Sequence, residues 1–267
     1  MTISRAVSLS FLTDSPTRRG VLTLLKKAWY ETRARFFAAA ILLALLGVST
    51  VFRAEPTISA WESFHRGESM PYALYVWLSL SKGYLMFFWV ICAVILGLGG
   101  LVREHSMGTV GFTLSLPVSR RALVVTRALV GAAEAFALAM IPGILVALLS
   151  PALGYSYPPG QSLLFGILMA GGGMIFYSLG FFLSHVFRGE FAAPGVGLAI
   201  VAGIYVLTRL PQLDDFDVFD LMTGSHYMIH ATYLLGDAFP IFPLICSLTA
   251  ASGLVALSAA IASRRDF

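Results

Sequence analysis

Charge is what this chain lacks most. Asp, Glu, Lys and Arg make up 12% of its 267 residues, where soluble domains carry about 25%. With 58% hydrophobic residues, too little polar surface is left to face water on all sides, so the composition is that of a membrane protein. Lysine is scarcer still: Lys26, Lys27 and Lys82 are the full set. None follows a glycine or precedes Ser or Thr, which excludes a P-loop and with it nucleotide hydrolysis by that route. Cys92 and Cys246 are the two cysteines, both inside apolar runs. They form neither a disulfide framework nor a metal spacing, and read as buried thiols. Gly-x-Ser-x-Gly, His-Glu-x-x-His and a Gly-x-Gly-x-x-Gly after a strand are missing as well, which removes the commonest hydrolase, zinc-protease and dinucleotide signatures. No repeat, low-complexity tract or soluble domain interrupts residues 1–267, which read as one transmembrane domain. No cleavable signal is visible, since about 35 residues precede the first apolar run, longer than a usual signal n-region. The net charge of +4 does not mark a nucleic-acid binder, because the basic residues sit beside apolar runs, as anchors to a lipid bilayer do.

What is present is a series of apolar runs near the ~20 residues a spanning helix needs. They fall at about 36–52, 83–101, 128–149, 163–187, 193–207 and 239–262; an earlier start of the second, within 72–80, is also readable. This predicts an all-α membrane protein with six transmembrane helices. Lys and Arg set the orientation. With the N-terminus inside, fourteen of the eighteen fall on inner segments and four, Arg53, Arg66, Lys82 and Arg209, on outer ones. Both termini are therefore expected in the cytoplasm, at the cell membrane. Ahead of the first run, Val21, Leu22, Leu24, Leu25, Trp29 and Phe36 share a helical face, with Arg19, Lys26, Lys27, Arg33 and Arg35 interleaved. That pattern predicts an N-terminal amphipathic helix lying in the cytoplasmic interface; a plain basic anchor is the simpler alternative. On the outer side, 227–235 reads as a short helix dipping into the interface. His226 and His230 would then share a face near Asp214, Asp215, Asp217 and Asp220, a possible metal site, against the simpler reading of two interfacial histidines.

The stretch from Leu101 to Arg127 stands apart. Arg103, Glu104 and His105 leave one apolar run, and Val110, Phe112, Leu114 and Leu116 make a short amphipathic piece. Pro117 breaks it, and Ser119, Arg120 and Arg121 lead into the next run. Pro stops a helix by its ring and missing N–H, and Ser119 is placed to cap the helix that follows. Glu134 lies about seven residues into the third span, roughly 10 Å deep at 1.5 Å per residue. An ionisable group at that depth faces the protein interior or a water path. It reads either as a substrate-path or gating residue, paired with Arg103, Arg127 or a polar group of another span, or as a structural partner near the interface. The Gly171-Gly172-Gly173 run reads as close helix packing or a hinge.

Arg103-Glu104, then Gly108-Thr109, then Leu114-Ser115-Leu116-Pro117-Val118-Ser119-Arg120-Arg121 resembles the signature of ABC type-2 transporter permeases. So do the basic helix before the first span and the Arg264-Arg265-Asp266 ending. The chain departs from the commoner pattern at Ser106-Met107 and at Gly111. The resemblance implies a permease subunit of an ATP-driven transporter, an exporter, with ATP and Mg on a separate ATP-binding cassette ATPase and no cofactor on this chain. It implies a cytoplasmic coupling helix that engages the ATPase through Arg103, Glu104, Gly108, Thr109, Phe112, Leu116, Pro117, Ser119 and Arg120. Six spans are half the family's usual twelve, so it also implies a second permease copy, as homodimer or heterodimer. A non-transporting sensor or anchoring subunit of such a complex, and a polytopic membrane enzyme built on Glu134, are the alternatives.

Overall fold

An apolar run in lipid has no water to bond its backbone, so it closes its own hydrogen bonds as a helix. The computed structural model describes residues 15–65, 69–98, 119–187, 192–208, 217–236 and 239–264, and within them the apolar runs are helical. α1 (Ser15–Phe52), α2 (Ala54–Phe64), α3 (Tyr72–Leu80) and α4 (Tyr84–Gly97) come before residues 99–118. α5 (Arg120–Ala152), α6 (Pro159–Val186), α7 (Ala192–Leu207), α8 (Val218–Thr223) and α9 (Ile241–Arg264) follow them. Among the described residues, five segments are long and apolar enough to cross a membrane: Leu22–Phe52, Tyr72–Gly97, Arg120–Ala152, Pro159–Val186 and Ile241–Arg264. α7, at 16 residues, is about 24 Å long, short of the ~30 Å hydrocarbon core.

Two expectations need correction. The separate interfacial helix expected over 18–35 does not form, because that stretch is the first half of the 38-residue α1. Its junction with the first span, Ala34-Arg35-Phe36-Phe37-Ala38-Ala39-Ala40, contains no Gly or Pro, so nothing stops the hydrogen-bond ladder. Leu24, Ala28, Thr32, Ala39, Leu43 and Thr50 are all buried. One stripe at helical spacing thus packs on the protein along nearly the whole of α1. The second correction concerns 227–235. These residues make a hairpin, β1 (Met228–Ile229) antiparallel to β2 (Leu234–Leu235), in place of the short helix. Gly224, at φ 68°, ends α8 in the left-handed region, Ile229 favours extended backbone, and Tyr233, at φ 55°, lies in the turn between the strands. His226 and His230 therefore share no helix face.

The second crossing takes the earlier start. Ser81 N and Lys82 N both donate to Trp77 O, at 2.9 and 3.1 Å, ending α3, and α4 resumes after Gly83. A Cβ at Gly83 would fall 2.2 Å from Leu78 O, so this break needs glycine.

α6 is the central helix, touching α4, α5, α7, α8 and α9. It meets α4 backbone to backbone: a Cβ at Gly180 would lie 2.4 Å from Val94 O, and one at Gly97 2.5 Å from Tyr177 O. The Gly171-Gly172-Gly173 run packs three neighbours, Leu244 of α9, Met222 of α8 and the ring of Trp89, while α6 stays helical through it. Trp89 is fully buried and its Nε1 donates to Ala135 O at 3.0 Å. Small residues at such contacts allow the dense packing that holds membrane helices together. Gly180→Leu should therefore push α4 from α6 and lower stability by roughly 1–3 kcal/mol, read as an earlier thermal unfolding midpoint in detergent. Gly203→Ala, with nothing within 4 Å, should leave the midpoint unchanged or raise it; equal losses in both variants would contradict this packing.

Candidate functional site

Charged side chains inside apolar helices must find partners, since a lone charge in hydrocarbon costs several kcal/mol or more. α1 carries Lys27, Glu31 and Arg35 one turn apart, with Thr32 beside them, and α5 carries Arg127 and Glu134. The two helices run side by side in the same direction, because Glu31 meets Arg127, Thr32 meets Glu134, and Gly47 meets Pro142 further along. The Arg127 guanidinium donates to Glu31 Oε2, and Lys27 Nζ lies 3.5 Å from Glu31 Oε1. The Thr32 hydroxyl donates to Glu134 Oε1 in a short contact. Glu134 is 4% exposed, and its Oε2 has no hydrogen-bond partner among the described residues.

Arg35 extends the cluster to a third helix. Its guanidinium donates to Ile95 O at 3.0 Å and to Leu98 O. These carbonyls close α4 and carry the negative end of its dipole; Ile95 O also accepts from Leu98 N at 3.2 Å. Tyr177 of α6 donates to Ala128 O of α5 at 3.0 Å. The cluster thus joins α1 to the last turn of α4 and the first turns of α5, the two helix ends that flank residues 99–118.

The predicted site residues divide sharply. Arg103, Glu104, Gly108, Thr109, Phe112, Leu116 and Pro117 lie outside the described residues. Ser119 is the N-cap of α5, its hydroxyl accepting from Ala122 N at 3.2 Å, and Arg120 opens the helix. Glu134 is buried and partnered by Thr32; Arg127, one of the arginines considered for it, pairs with Glu31 instead. Glu31 and Thr32 carried no functional reading, although Glu31 is the one acid between Arg18 and Arg35 and is spaced for an i,i+4 pair with Lys27. His185 is buried at 2% exposure, its Nδ1 donating to Phe181 O at 2.8 Å. On the other side of the bundle, His226 Nε2 bonds Asp220 Oδ2 at 3.2 Å. Burial raises the Asp217 carboxyl from its ordinary value, opposed by a hydrogen bond from Phe219 N, which makes it a poorer metal ligand. Among the described residues no three candidate metal ligands come together; Asp214 and Asp215 lie outside them.

Apolar helices of spanning length around a buried, partnered charge cluster define a multi-pass, all-α transmembrane protein. Residues 19–211 match the family described as ABC-2 family transporter protein. The match takes in well over half of the chain, and the chain belongs to that family: it is a permease, a membrane component of an ABC transporter. No curated protein matches it significantly.

The Glu31–Arg127 pair should behave as one unit. Glu31→Gln and Arg127→Gln should each destabilise the chain, and the double variant should cost less than the sum. The coupling should be roughly 0.5–3 kcal/mol in reversible unfolding in mixed micelles; strict additivity would mean that the two charges act independently.

Proposed function

We propose that this chain is the membrane-spanning subunit of an ATP-driven exporter whose ATP and Mg are bound by a separate ATP-binding cassette subunit. α7 is the fifth of six spans, both termini are cytoplasmic, and residues 1–267 act as one transmembrane domain. The stretch between the second and third spans is then cytoplasmic; its segment near 107–116 is a short coupling helix, and Arg103, Glu104, Gly108, Thr109, Phe112 and Leu116 engage the ATPase. Pro117 ends that helix, Ser119 caps α5, and Arg120 faces the ATPase or lipid phosphates. A second permease copy, identical or not, completes the usual twelve spans.

The observation that carries this reading is the attachment of α1 to both flanks of 99–118. Arg35 holds the end of α4, and Glu31 holds the start of α5 through Arg127. A push on the coupling segment moves α4 and α5, and the pairs carry α1 with them. ATP-driven closure of two ATPase subunits would in this way tilt several spans together. Glu134, buried between α1 and α5, is the ionisable group on the cargo path. Apolar spans around a buried acid suit an amphiphilic cargo.

The test is purification of the tagged chain in mild detergent from its native host, with co-eluting proteins identified by mass spectrometry. An ATP-binding subunit should co-elute with the wild type and be lost with Glu104→Ala combined with Pro117→Ala. Arg35→Gln should keep the subunit but lower ATP turnover by the complex severalfold. Absence of an ATPase under several mild conditions would overturn the reading. A bound ATPase that drives no transport favours a sensor or anchoring subunit.

A further inference from the structure

α2 divides its surface three ways. Ala54 is fully buried and Ile58 partly buried against the core, so one edge rests on the protein. Glu55, Ser59, Glu62 and Ser63, at i, i+4, i+7 and i+8, make a polar side. Thr57, Trp61 and Phe64, at i, i+4 and i+7, make an apolar side, since residues at those spacings share a helix face. All three are exposed, Phe64 at 84%. The Thr57 hydroxyl donates to Arg53 O at 2.6 Å, so its polar atom is satisfied within the chain and its methyl is left for the apolar side. The His65 ring stacks on that of Trp61, with centroids 3.8 Å apart.

What covers the apolar side follows from where α2 begins. Arg53 alone separates it from α1, whose Phe37, Ile41, Leu45 and Phe52 are exposed along one face, the face a spanning helix turns to lipid. That stripe ends with the span at Phe52, and the apolar side of α2 resumes it from Thr57. At 11 residues, about 16 Å long, α2 is too short to cross the hydrocarbon core. A Trp and a Phe opposite acidic and hydroxyl side chains suit a helix lying in the interface instead. Water would leave both aromatics exposed at the full hydrophobic cost. A second copy would gain too little, because two aromatic side chains bring about 300–500 Å² against roughly 800 Å² per partner in a stable interface. α2 carries two acids and no Lys or Arg, so neutral headgroups suit it better than anionic ones. We propose that α2 is an interfacial anchor, lying in the headgroup region of the leaflet at the Phe52 end of α1. Trp61 and Phe64 turn to the acyl chains, and Glu55, Ser59, Glu62 and Ser63 turn to water.

The leaflet is the outer one in the orientation proposed above, but the placement itself depends on neither the ATPase nor the cargo. The full chain is placed in phosphatidylcholine nanodiscs. Thr57→Cys, Trp61→Cys, Phe64→Cys, Glu55→Cys, Ser59→Cys and Ser63→Cys, each in a chain carrying Cys92→Ala and Cys246→Ser, take a nitroxide label, with Leu45→Cys as the lipid reference. Power saturation then compares collisions with oxygen, which enters lipid, and with a nickel chelate, which stays in water. Labels at 57, 61 and 64 should match the one at 45, with oxygen access exceeding nickel access severalfold, and those at 55, 59 and 63 should show the reverse. A second readout needs no cysteine. A phosphatidylcholine brominated near the top of its acyl chains should quench a larger fraction of the tryptophan fluorescence in the wild type than in Trp61→Phe. Nickel access at 57, 61 and 64 equal to that at 55, 59 and 63 would overturn the proposal by placing α2 in water. So would labels at 61 and 64 that are shielded from both reagents and broadened by a spin on another copy, which would put a second chain on that side. Equal fractional quenching in the wild type and Trp61→Phe would overturn it without any label.

Discussion

A charge inside hydrocarbon must be paired, and in this chain that requirement locks α1 to α5. Glu31 with Arg127 and Thr32 with Glu134 hold the two helices in one register. Further along, a Cβ at Gly47 would lie 3.2 Å from Pro142 Cα. Sliding α1 by one turn would break both polar pairs and move the bare surface of Gly47 away from Pro142. Arg35 adds the end of α4 to the same unit. The polar contacts therefore select one arrangement among the many that apolar packing alone would tolerate, since lipid is as apolar as the helices and does not drive them together.

The rest of the bundle is arranged around that unit. α6 lies against α4 through glycines at 97 and 180 and against α5 through Tyr177, so α1, α4, α5 and α6 share one polar and steric framework. α7 is attached more lightly, while α9 lies along α6 and also touches α5. α7 buries Ala193, Gly197 and Val201, a single stripe at i, i+4, i+8. α9 leaves Ile241, Phe242, Ile245, Leu248 and Leu257 exposed, a face suited to lipid. Its Cys246 is exposed on that face and is not the buried thiol expected, while Cys92 is buried. Of the framework helices, α4 and α5 lead into and out of residues 99–118, so a force applied there acts on the framework directly.

Much of this was legible in the chain itself. Long apolar runs announce helices because lipid allows the backbone no other partner, and a Ser directly before a helical run announces its cap. Glu134 drew notice because an acid seven residues into a span is expensive wherever it sits. Its partner was not legible: Thr32 is 102 residues away in sequence, and side chains meet across helices according to packing that no local pattern encodes. Glu31 was hidden among basic residues, where an ion pair on an exposed face and a tie to a distant helix look the same. The basic residues before the first span also drew attention from the unbroken Ala38-Ala39-Ala40 junction, which lets α1 continue as one helix. At 227–235 a short run of aromatic and aliphatic residues fitted helix and strand alike, and the left-handed turn at Gly224 decided between them.

If the Glu31–Arg127 and Thr32–Glu134 pairs hold through the transport cycle, α1 and α5 move as one body. This is tested most directly by locking them together covalently, with Gly47→Cys and Pro142→Cys in a chain carrying Cys92→Ala and Cys246→Ser. A Cβ at position 47 lies 3.5 Å from that of Pro142, within the range a disulfide spans. ATP turnover of the complex with the proposed ATPase subunit is then compared with the bond oxidised and reduced. Equal turnover in the two states is the predicted result. Turnover that stops on oxidation and returns on reduction would mean that α1 and α5 must separate for the cycle to run, and that they are not one body.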